Sequence, residues 1–500
     1  MRIFEKNNAF MNEAIRKLEP KAIWNKFTDL NAVPRPSKKE ERVIQFMMDF
    51  GKSLGLETIK DDVGNVIIRK AASSGMENRK MITLQSHLDM VHQKNADTEF
   101  DFDTQGIRMV IDDDWVKADG TTLGADNGLG VATIMALLES TDIEHPPLEA
   151  LFTIDEETGM TGAMGLQGGM LKGEILLNLD TEEDDELDIG CAGGIDVTAT
   201  RRYNGKPVPR AVLPYELKVK GLQGGHSGID IHLGLGNANK IMNRLLYHAT
   251  NRFMMRLAEI DGGGLRNAIP RESTAKLVVL KSQVEEFEAA MMVLATTIKN
   301  ELKTLEPTLS ITLEKTSAPH MIMGLGAQER LLKGIYAAHN GVYAMSATVP
   351  GLVETSNNIA RVEVNDGAIL VNCLTRSSVD SSKMDLANAL KSTFELARCD
   401  VQFNGEYPGW TPNPESKILK IAEAKYKSLF NEEPKVAACH AGLECGILGQ
   451  NYPDMDMISF GPTINGAHSP DERVSISSVQ KFWKFLLAIL ADAPKKEIIF

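Results

Sequence analysis

Five short stretches of this 500-residue chain gather side chains able to hold metals or move protons: "SHLD" (86–89), "GADNG" (124–128), "DEETG" (155–159), "NLDTE" (178–182) and "GAHSPDE" (466–472). Histidine, aspartate and glutamate offer imidazole nitrogen and carboxylate oxygen, a donor set suited to Zn²⁺, Co²⁺ and Mn²⁺. His87 and Asp89 are two residues apart. On a strand they share a face, so Asp89 can accept the imidazole's other N–H and fix its tautomer. The acids of "FTIDEETG" pose a different arrangement, because Glu156 and Glu157 are adjacent. Successive strand side chains point to opposite faces, so two neighbouring carboxylates at a strand end aim in different directions. Such a pair suits chemistry that needs two carboxylates with different tasks.

Each stretch alone has an ordinary reading. A lone buried histidine such as His87 is more often a satisfied core residue than a ligand. Asp180 at a strand end reads as a cap, and Asp126 before Asn-Gly reads as a turn. The signal is the coincidence of five, each at the end of an apolar run or in a tight loop. The acid run "TEEDDELD" (181–188) reads either as a solvated loop or as a source of field beside a metal.

The elements that must carry these stretches alternate. Helical periodicity covers "KKEERVIQFMMDFGKSLGL" (38–56) and "GLGVATIMALLES" (128–140), and buried strands are predicted at "NVIIRKA", "KMITLQSHLD", "PLEALFTIDEE" and "GEILLNLDTE". Strands separated by helices predict an α/β layer architecture with a partly parallel sheet, and open α/β folds place their sites beyond the carboxyl ends of the strands. From 194 to 408 the texture changes to two stretches of α+β character. The first runs strand "YELKVKG", helix, strand "STAKLVVLKS", helix, strand "LSITLEK". The second runs helix "AQERLLKGIYAAHN", strands "NNIARVEV" and "AILVNCLTRSS", helix, strand "DVQFNGEY". Both have the order of a split βαβ unit, so the insert reads as a duplication in element order, without visible likeness in sequence. The helix "KILKIAEAKYKSLF" then returns the chain to the α/β texture. The expected organisation is a discontinuous domain, 1–193 with 409–500, interrupted by an inserted domain at 194–408.

Composition narrows the function. A formal charge of −14 argues against nucleic acid as a partner. The N-terminal "MRIFEKNNAFMNEAIRKLEP" mixes charged and apolar residues at helical spacing and has no secretory core, and no apolar stretch approaches the length of a membrane span. Five scattered cysteines (Cys191, Cys373, Cys399, Cys439, Cys445) suit free thiols in a cytoplasmic protein better than a disulfide framework. "GADNGLG", "HLGLGN" and "MGLGAQ" lack the spacing or the Lys-Ser/Thr partner of phosphate-binding loops. His92, His145, His232, His248, His320 and His339 are read as structural or exposed.

The ordered set "SHLD", "GADNG", "DEETG", "NLD", "GGHSG" and "AHSPDE", with "CAGG", "NAIPRE" and "HAGLECG", resembles the M20 family of di-zinc aminoacylases, carboxypeptidases and dipeptidases, nearest to its dipeptidases, over residues 10 to 490. The resemblance implies a three-layer α/β/α catalytic domain carrying an inserted lid and dimerisation domain. It implies two Zn²⁺ ions (Co²⁺ or Mn²⁺ substituting) bridged by Asp126, one completed by His87 and Asp180 and the other by Glu157 and His468, with a cis peptide after Asp126. Glu156 is then the general base acting on a water shared by the metals, and Asp89 supports His87. His226 reaches the site of the partner subunit of a homodimer, Asn267 and Arg376 hold the substrate, and Arg376 pairs with its free C-terminal carboxylate. Glu444 is the candidate for the α-amino group, and His440 contacts substrate or packs. The implied activity is hydrolysis of unblocked dipeptides, Xaa-His included. Tripeptide or acyl-amino-acid hydrolysis is the alternative within the family, and a non-catalytic metal-binding scaffold the alternative outside it.

Overall fold

The computed structural model describes residues 12–496; residues 1–11, which open the N-terminal segment read above as helically spaced, lie outside them. The described chain divides into two compact units. One runs to Gly190 and resumes with Pro412–Ala438 and from Leu443 onward; the other comprises Cys191–Thr411 and Cys439–Gly442.

The first unit opens with β1 (Glu57–Lys60) and β2 (Val66–Lys70), an antiparallel pair, followed by β3 (Ile82–His87). A short pair, β4 (Met109–Asp112) and β5 (Trp115–Ala118), precedes the helix Ala125–Glu139. Then come β6 (Leu148–Thr153), β7 (Ile175–Asn178) and β8 (Glu186–Cys191). After the second unit the chain returns through β18 (Lys435–Cys439), β19 (Asp456–Ser459), β20 (Ile464–Asn465) and β21 (Arg473–Ser475). The main sheet has the order β1-β2-β6-β3-β7-β19-β8-β18, and its centre, β6-β3-β7-β19, is parallel. Every residue of β3, β6 and β7 is buried, which is the pattern of strands covered on both faces. Their polar members are satisfied from within. Glu149 accepts from Thr83 Oγ1 (3.0 Å) and Arg69 Nε (2.8 Å).

The helix Ala125–Glu139 is buried along nearly its whole length and packs on β3. Gly130 permits this approach: a Cβ there would sit 2.4 Å from Ser86 Oγ and 2.6 Å from the Leu179 carbonyl.

The second unit contains β9 (Gly193–Arg202), β10 (Val212–Lys220), β11 (Arg256–Gly263), β12 (Ser273–Leu280), β13 (Ser310–Lys315), β14 (Gly341–Met345), β15 (Val353–Asn365), β16 (Ala368–Ser377) and β17 (Asp400–Tyr407). They form one sheet in the order β13-β10-β12-β11-β15-β16-β9-β17, with β14 also on β15. Two copies of one topology are fused edge to edge. The first is β10, helix Ala238–Phe253, β11, β12, helix Val284–Leu302, β13; the second is β9, helix Leu325–Ala337, β15, β16, helix Asp380–Leu396, β17. In each, the fourth strand pairs the first, the first pairs the third, and the third pairs the second. The two copies join where β11 meets β15.

Within the two copies, two strands differ from the sequence reading, and β14, outside the copies, is a further strand it does not contain. The first stretch lacked β11 ("RLAEIDGG"), whose two terminal glycines obscure its strand pattern. The second lacked its own first strand, because β9 precedes the whole of the first copy in the chain. Leu245, Phe253, Phe287, Leu331 and Phe394 fill the core of this unit.

Candidate metal centre

Three parallel strands bring candidate ligands near their carboxyl ends. His87 is the last residue of β3, and it pairs in register with Thr153, the last residue of β6. Asp180 follows β7 by two residues. Asp126 stands in the first turn of the helix Ala125–Glu139 but departs from helical dihedrals (φ −79°, ψ 113°), and the Asp126–Asn127 peptide is cis, as the resemblance implies. His468 comes from the loop between β20 and β21, with φ 65°.

The Asp126 carboxylate faces two imidazoles, one per oxygen. Its Oδ1 is 3.1 Å from His87 Nε2, and its Oδ2 is 3.2 Å from His468 Nε2. Around the first imidazole, Asp180 Oδ1 lies 3.5 Å from His87 Nε2; around the second, Glu157 Oε2 lies 3.0 Å from His468 Nε2. His87–Asp126–Asp180 and Asp126–Glu157–His468 each bring one donor atom apiece within 4.8 Å of one another. The side chains of His87, Glu157 and Asp180 are 1%, 3% and 6% exposed, so this charge is held largely out of water, whereas His468 is 56% exposed. Glu157 Oε1 is buried and has no hydrogen-bond partner.

The electrostatics follow from this crowding. Burial works against charging His87, but Asp180, Asp126 and Asp89 outweigh it and hold the imidazole well above its usual range. Hydrogen bonds to Asp126 and Glu157 lift His468 to about 11. Burial and neighbouring acids push Glu157 and Asp180 up, while the two imidazoles draw Asp126 down against its own burial. Three carboxylates and two imidazoles in so small a space need positive charge to be stable as anions. Protons on the imidazoles can supply it. A pair of divalent cations fits the same donors, and the unpartnered Glu157 Oε1 offers an additional oxygen ligand.

Glu156 is half-buried and belongs to neither triad. Burial raises its carboxyl well above the ordinary value, with Asp180, Glu444 and Glu157 adding to the shift against His87. The divergence of Glu156 from Glu157 does not come from strand alternation. β6 ends at Thr153, Asp155 turns left-handed (φ 57°), and both glutamates sit in a four-residue helix, Glu156–Gly159. Adjacent helical residues are rotated by about 100°, so they still diverge, for a helical reason. Asp89 likewise lies beyond the end of β3. Its Oδ1 is nonetheless 3.3 Å from His87 Nδ1, whose other near acceptor is the Asp89 carbonyl at 3.2 Å. The same carboxylate accepts from the backbone amides of Glu156 (3.0 Å) and Glu157 (3.3 Å) and from Ser37 Oγ (2.8 Å). Asp89 therefore contacts the His87 ring and the backbone of both glutamates at once.

Glu444, at the start of the helix Glu444–Asn451, is wholly buried. Its Oε2 accepts from Gln85 Nε2 and Thr153 Oγ1, both at 2.6 Å, and its Oε1 has no partner. Burial pushes its carboxyl up to about 8.

In the second unit, His226, Arg376 and His440 converge on Gly228. A Cβ on Gly228 would lie 2.1 Å from the His440 carbonyl, 3.1 Å from His226 Cε1 and 3.2 Å from Arg376 Nε. His226 Nδ1 accepts from the amides of Gly228 (3.3 Å) and Ile229 (3.0 Å), which leaves the ring proton on Nε2. Asn267 is exposed, and its carbonyl accepts from Ser227 N at 2.7 Å, next to His226. Arg376 is 5% exposed; Nη1 donates to Tyr407 Oη at 2.8 Å, and Nε is buried without a partner. His440 Nε2 meets Ser356 Oγ at 2.8 Å, and burial, then the charges of Arg376 and His226, press its imidazole down to about 3.

Arg35, Ser37 and Glu472 were assigned no role from sequence, although all three touch the ligand loops. They act on backbone groups or across long separations, and no spacing rule reports such contacts.

Residues 83–492 match the sequence profile of Peptidase family M20/M25/M40. The chain is 42% identical over 482 residues to the cytosol non-specific dipeptidase of Escherichia coli K12, covering 96% of this chain and 99% of that one. The crystal structure of aminoacylhistidine dipeptidase from Vibrio alginolyticus superposes with a TM-score of 0.90 at 42% identity, over 97% of this chain and 99% of that one. Aminopeptidase PepT from Bacillus cereus shares the fold, with a TM-score of 0.56 at 15% identity over 95% and 99% of the two chains.

Proposed function

The chain belongs to peptidase family M20/M25/M40, and from that premise we propose that it is a dipeptidase dependent on two divalent cations. The observation that carries the reading is the Asp126 carboxylate, whose two oxygens face His87 and His468 separately while Asp180 and Glu157 complete two donor groups. Zinc is the metal the donor set favours, with Co²⁺ and Mn²⁺ able to replace it. Bound there, the cations polarise the scissile carbonyl and acidify an attacking water.

The side chains do the rest. Glu156, outside both donor groups, takes a proton from the attacking water and passes it to the leaving amine. Asp89 fixes the His87 tautomer and holds the Glu156 and Glu157 amides. His226 offers its Nε2–H to the oxyanion of the tetrahedral intermediate, from the partner subunit of a homodimer, and Asn267 adds a further donor to the bound peptide. Arg376 takes the free C-terminal carboxylate, supported by its buried and under-used guanidinium. Glu444 Oε1 is the acceptor we assign to the α-ammonium group, whose charge restores the carboxylate, and His440 stays neutral beside the bound peptide. Substrates are unblocked dipeptides, Xaa-His among them. No described helix is long and apolar enough to cross a membrane, and with the Escherichia coli relative named for the cytosol, the cytoplasm is where we place the reaction.

The test is histidine release from glycyl-histidine and β-alanyl-histidine by metal-analysed wild type and Glu156→Gln. Activity in the wild type and a loss of about 10²–10⁴-fold in kcat in a variant that keeps its metals is the expected result. Metal-loaded wild type that cleaves neither peptide overturns the reading.

A further inference from the structure

Glu472 closes the "GAHSPDE" stretch, four residues after His468, and is 2% exposed. Its carboxylate accepts from four consecutive backbone amides: Leu123 (2.7 Å) and Gly124 (2.9 Å) at Oε2, Ala125 (2.7 Å) and Asp126 (3.2 Å) at Oε1. Successive N–H groups converge this way when one residue is left-handed, and Gly124 has φ 70°. On the far side of the same turn, Arg35 is 1% exposed; it donates from Nη2 to the Gly124 carbonyl (2.6 Å) and from Nη1 to the carbonyls of Leu88 (3.1 Å) and Asp89 (3.0 Å). The turn carrying Asp126 is thus gripped from both sides. Arg35 ties it to the segment after His87, and Glu472 ties it to the loop that carries His468.

Both grips hold the turn of Asp126, which the two donor groups share, but they tie it to different groups: Arg35 to the segment after His87, Glu472 to the loop of His468. His468 belongs only to the group Asp126–Glu157–His468, and its loop is closed by Ser469 N donating to Gly466 O (3.2 Å) and Glu472 N donating to Ser469 O (3.1 Å). His87 and Asp180 belong only to the other group, and they stand at or just beyond the ends of β3 and β7. We propose that Glu472 is a positioning residue that sets Asp126 against His468, so that binding of a second metal at Asp126–Glu157–His468 depends on it far more than binding of the first at His87–Asp126–Asp180. The inference rests on the di-metal reading above and goes beyond it by separating the two sites.

The experiment is a Co²⁺ titration of metal-free full-length protein, followed by visible absorption and by competition with a chelator, for wild type, Glu472→Gln and Glu472→Asp. Glutamine keeps the shape but turns an NH₂ group against two of the four amides; aspartate keeps the charge and shortens the reach. We expect two bound Co²⁺ in the wild type, second-site affinity reduced about 10–100-fold in E472Q with the first changed less than about 3-fold, and an intermediate second-site loss in E472D. Equal weakening of both sites, or a lower Tm of the metal-free variants with both affinities intact, overturns the assignment and leaves Glu472 a general stabiliser. Wild type that binds fewer than two Co²⁺ defeats the di-metal reading itself. Should E472Q fail to fold, E472D carries the same two readouts.

Discussion

Arg376 offers the sharpest test of how the substrate is held. Its guanidinium is 5% exposed, spends one N–H on Tyr407 Oη at 2.8 Å, and leaves Nε buried without an acceptor. A C-terminal carboxylate would give this fork two charge-assisted hydrogen bonds, each contributing about 1.5–3 kcal/mol. Stripping water from the carboxylate offsets part of that sum. A net effect of about 2–4 kcal/mol remains, or about 30- to 1,000-fold at ~1.4 kcal/mol per factor of ten. The assay compares kcat/KM for glycyl-histidine and for glycyl-histidine amide, which lacks the carboxylate charge. Wild type should prefer the acid by that factor. In Arg376→Met the preference should collapse to within about threefold, through loss on the acid alone, while Arg376→Lys keeps the charge without the fork and falls between. A wild type indifferent to amidation, or an R376M variant equally slow on both substrates, would falsify the carboxylate assignment.

Other outcomes follow from the same geometry. Gly228→Ala should cut kcat/KM at least about tenfold and also lower Tm, because its Cβ would lie 2.1 Å from the main-chain carbonyl of His440 and must displace the loop of His226; an unchanged rate counts against a role for these residues in holding the substrate. His440 is held down to about 3, so below its ordinary 6.5 the unfolded chain takes up a proton that the folded one refuses. Its contribution is therefore complete above pH 6.5 and is lost as the pH falls, by about 2 kcal/mol at pH 5 at ~1.4 kcal/mol per unit. Urea midpoints at pH 7 and pH 5 should drop less in His440→Gln than in wild type, and equal drops count against this account. Chelation should abolish peptidase activity and lower Tm, since a cation at 100 times its Kd adds about 2.7 kcal/mol to the native state; a chelator-indifferent Tm contradicts the metal reading.

What could be read from the sequence divides by range. The strands ending in His87 and before Asp180 are short apolar runs bounded by polar turns, so periodicity locates them without tertiary knowledge. The end of β6 was misplaced because Ile154 prolongs its apolar run, while a left-handed Asp155, which no propensity reports, breaks the strand. Arg35 and Glu472 stayed without roles for another reason. Their partners are main-chain carbonyls and amides, available at any sequence, and Glu472 reaches Leu123 across 349 positions. The second copy of the duplicated topology was read without its first strand because β9 is separated from its own helix by the entire first copy.

The order of strands in the main sheet sets a schedule for synthesis. β19 lies between β7 and β8 in space, yet it leaves the ribosome long after both, with the whole second unit translated in between. On the nascent chain, the edges of β7 and β8 that β19 will join have no partner for all that time. Edges of this kind pair readily with other chains, so during this stretch of translation the sheet stays open to such pairing. The second unit, contiguous from Cys191 to Thr411 except for its last four residues, can fold during the wait. His468 follows Asp126 by 342 positions, about 20–70 s at ~5–20 residues per second, so a donor group containing both cannot assemble until translation is nearly finished.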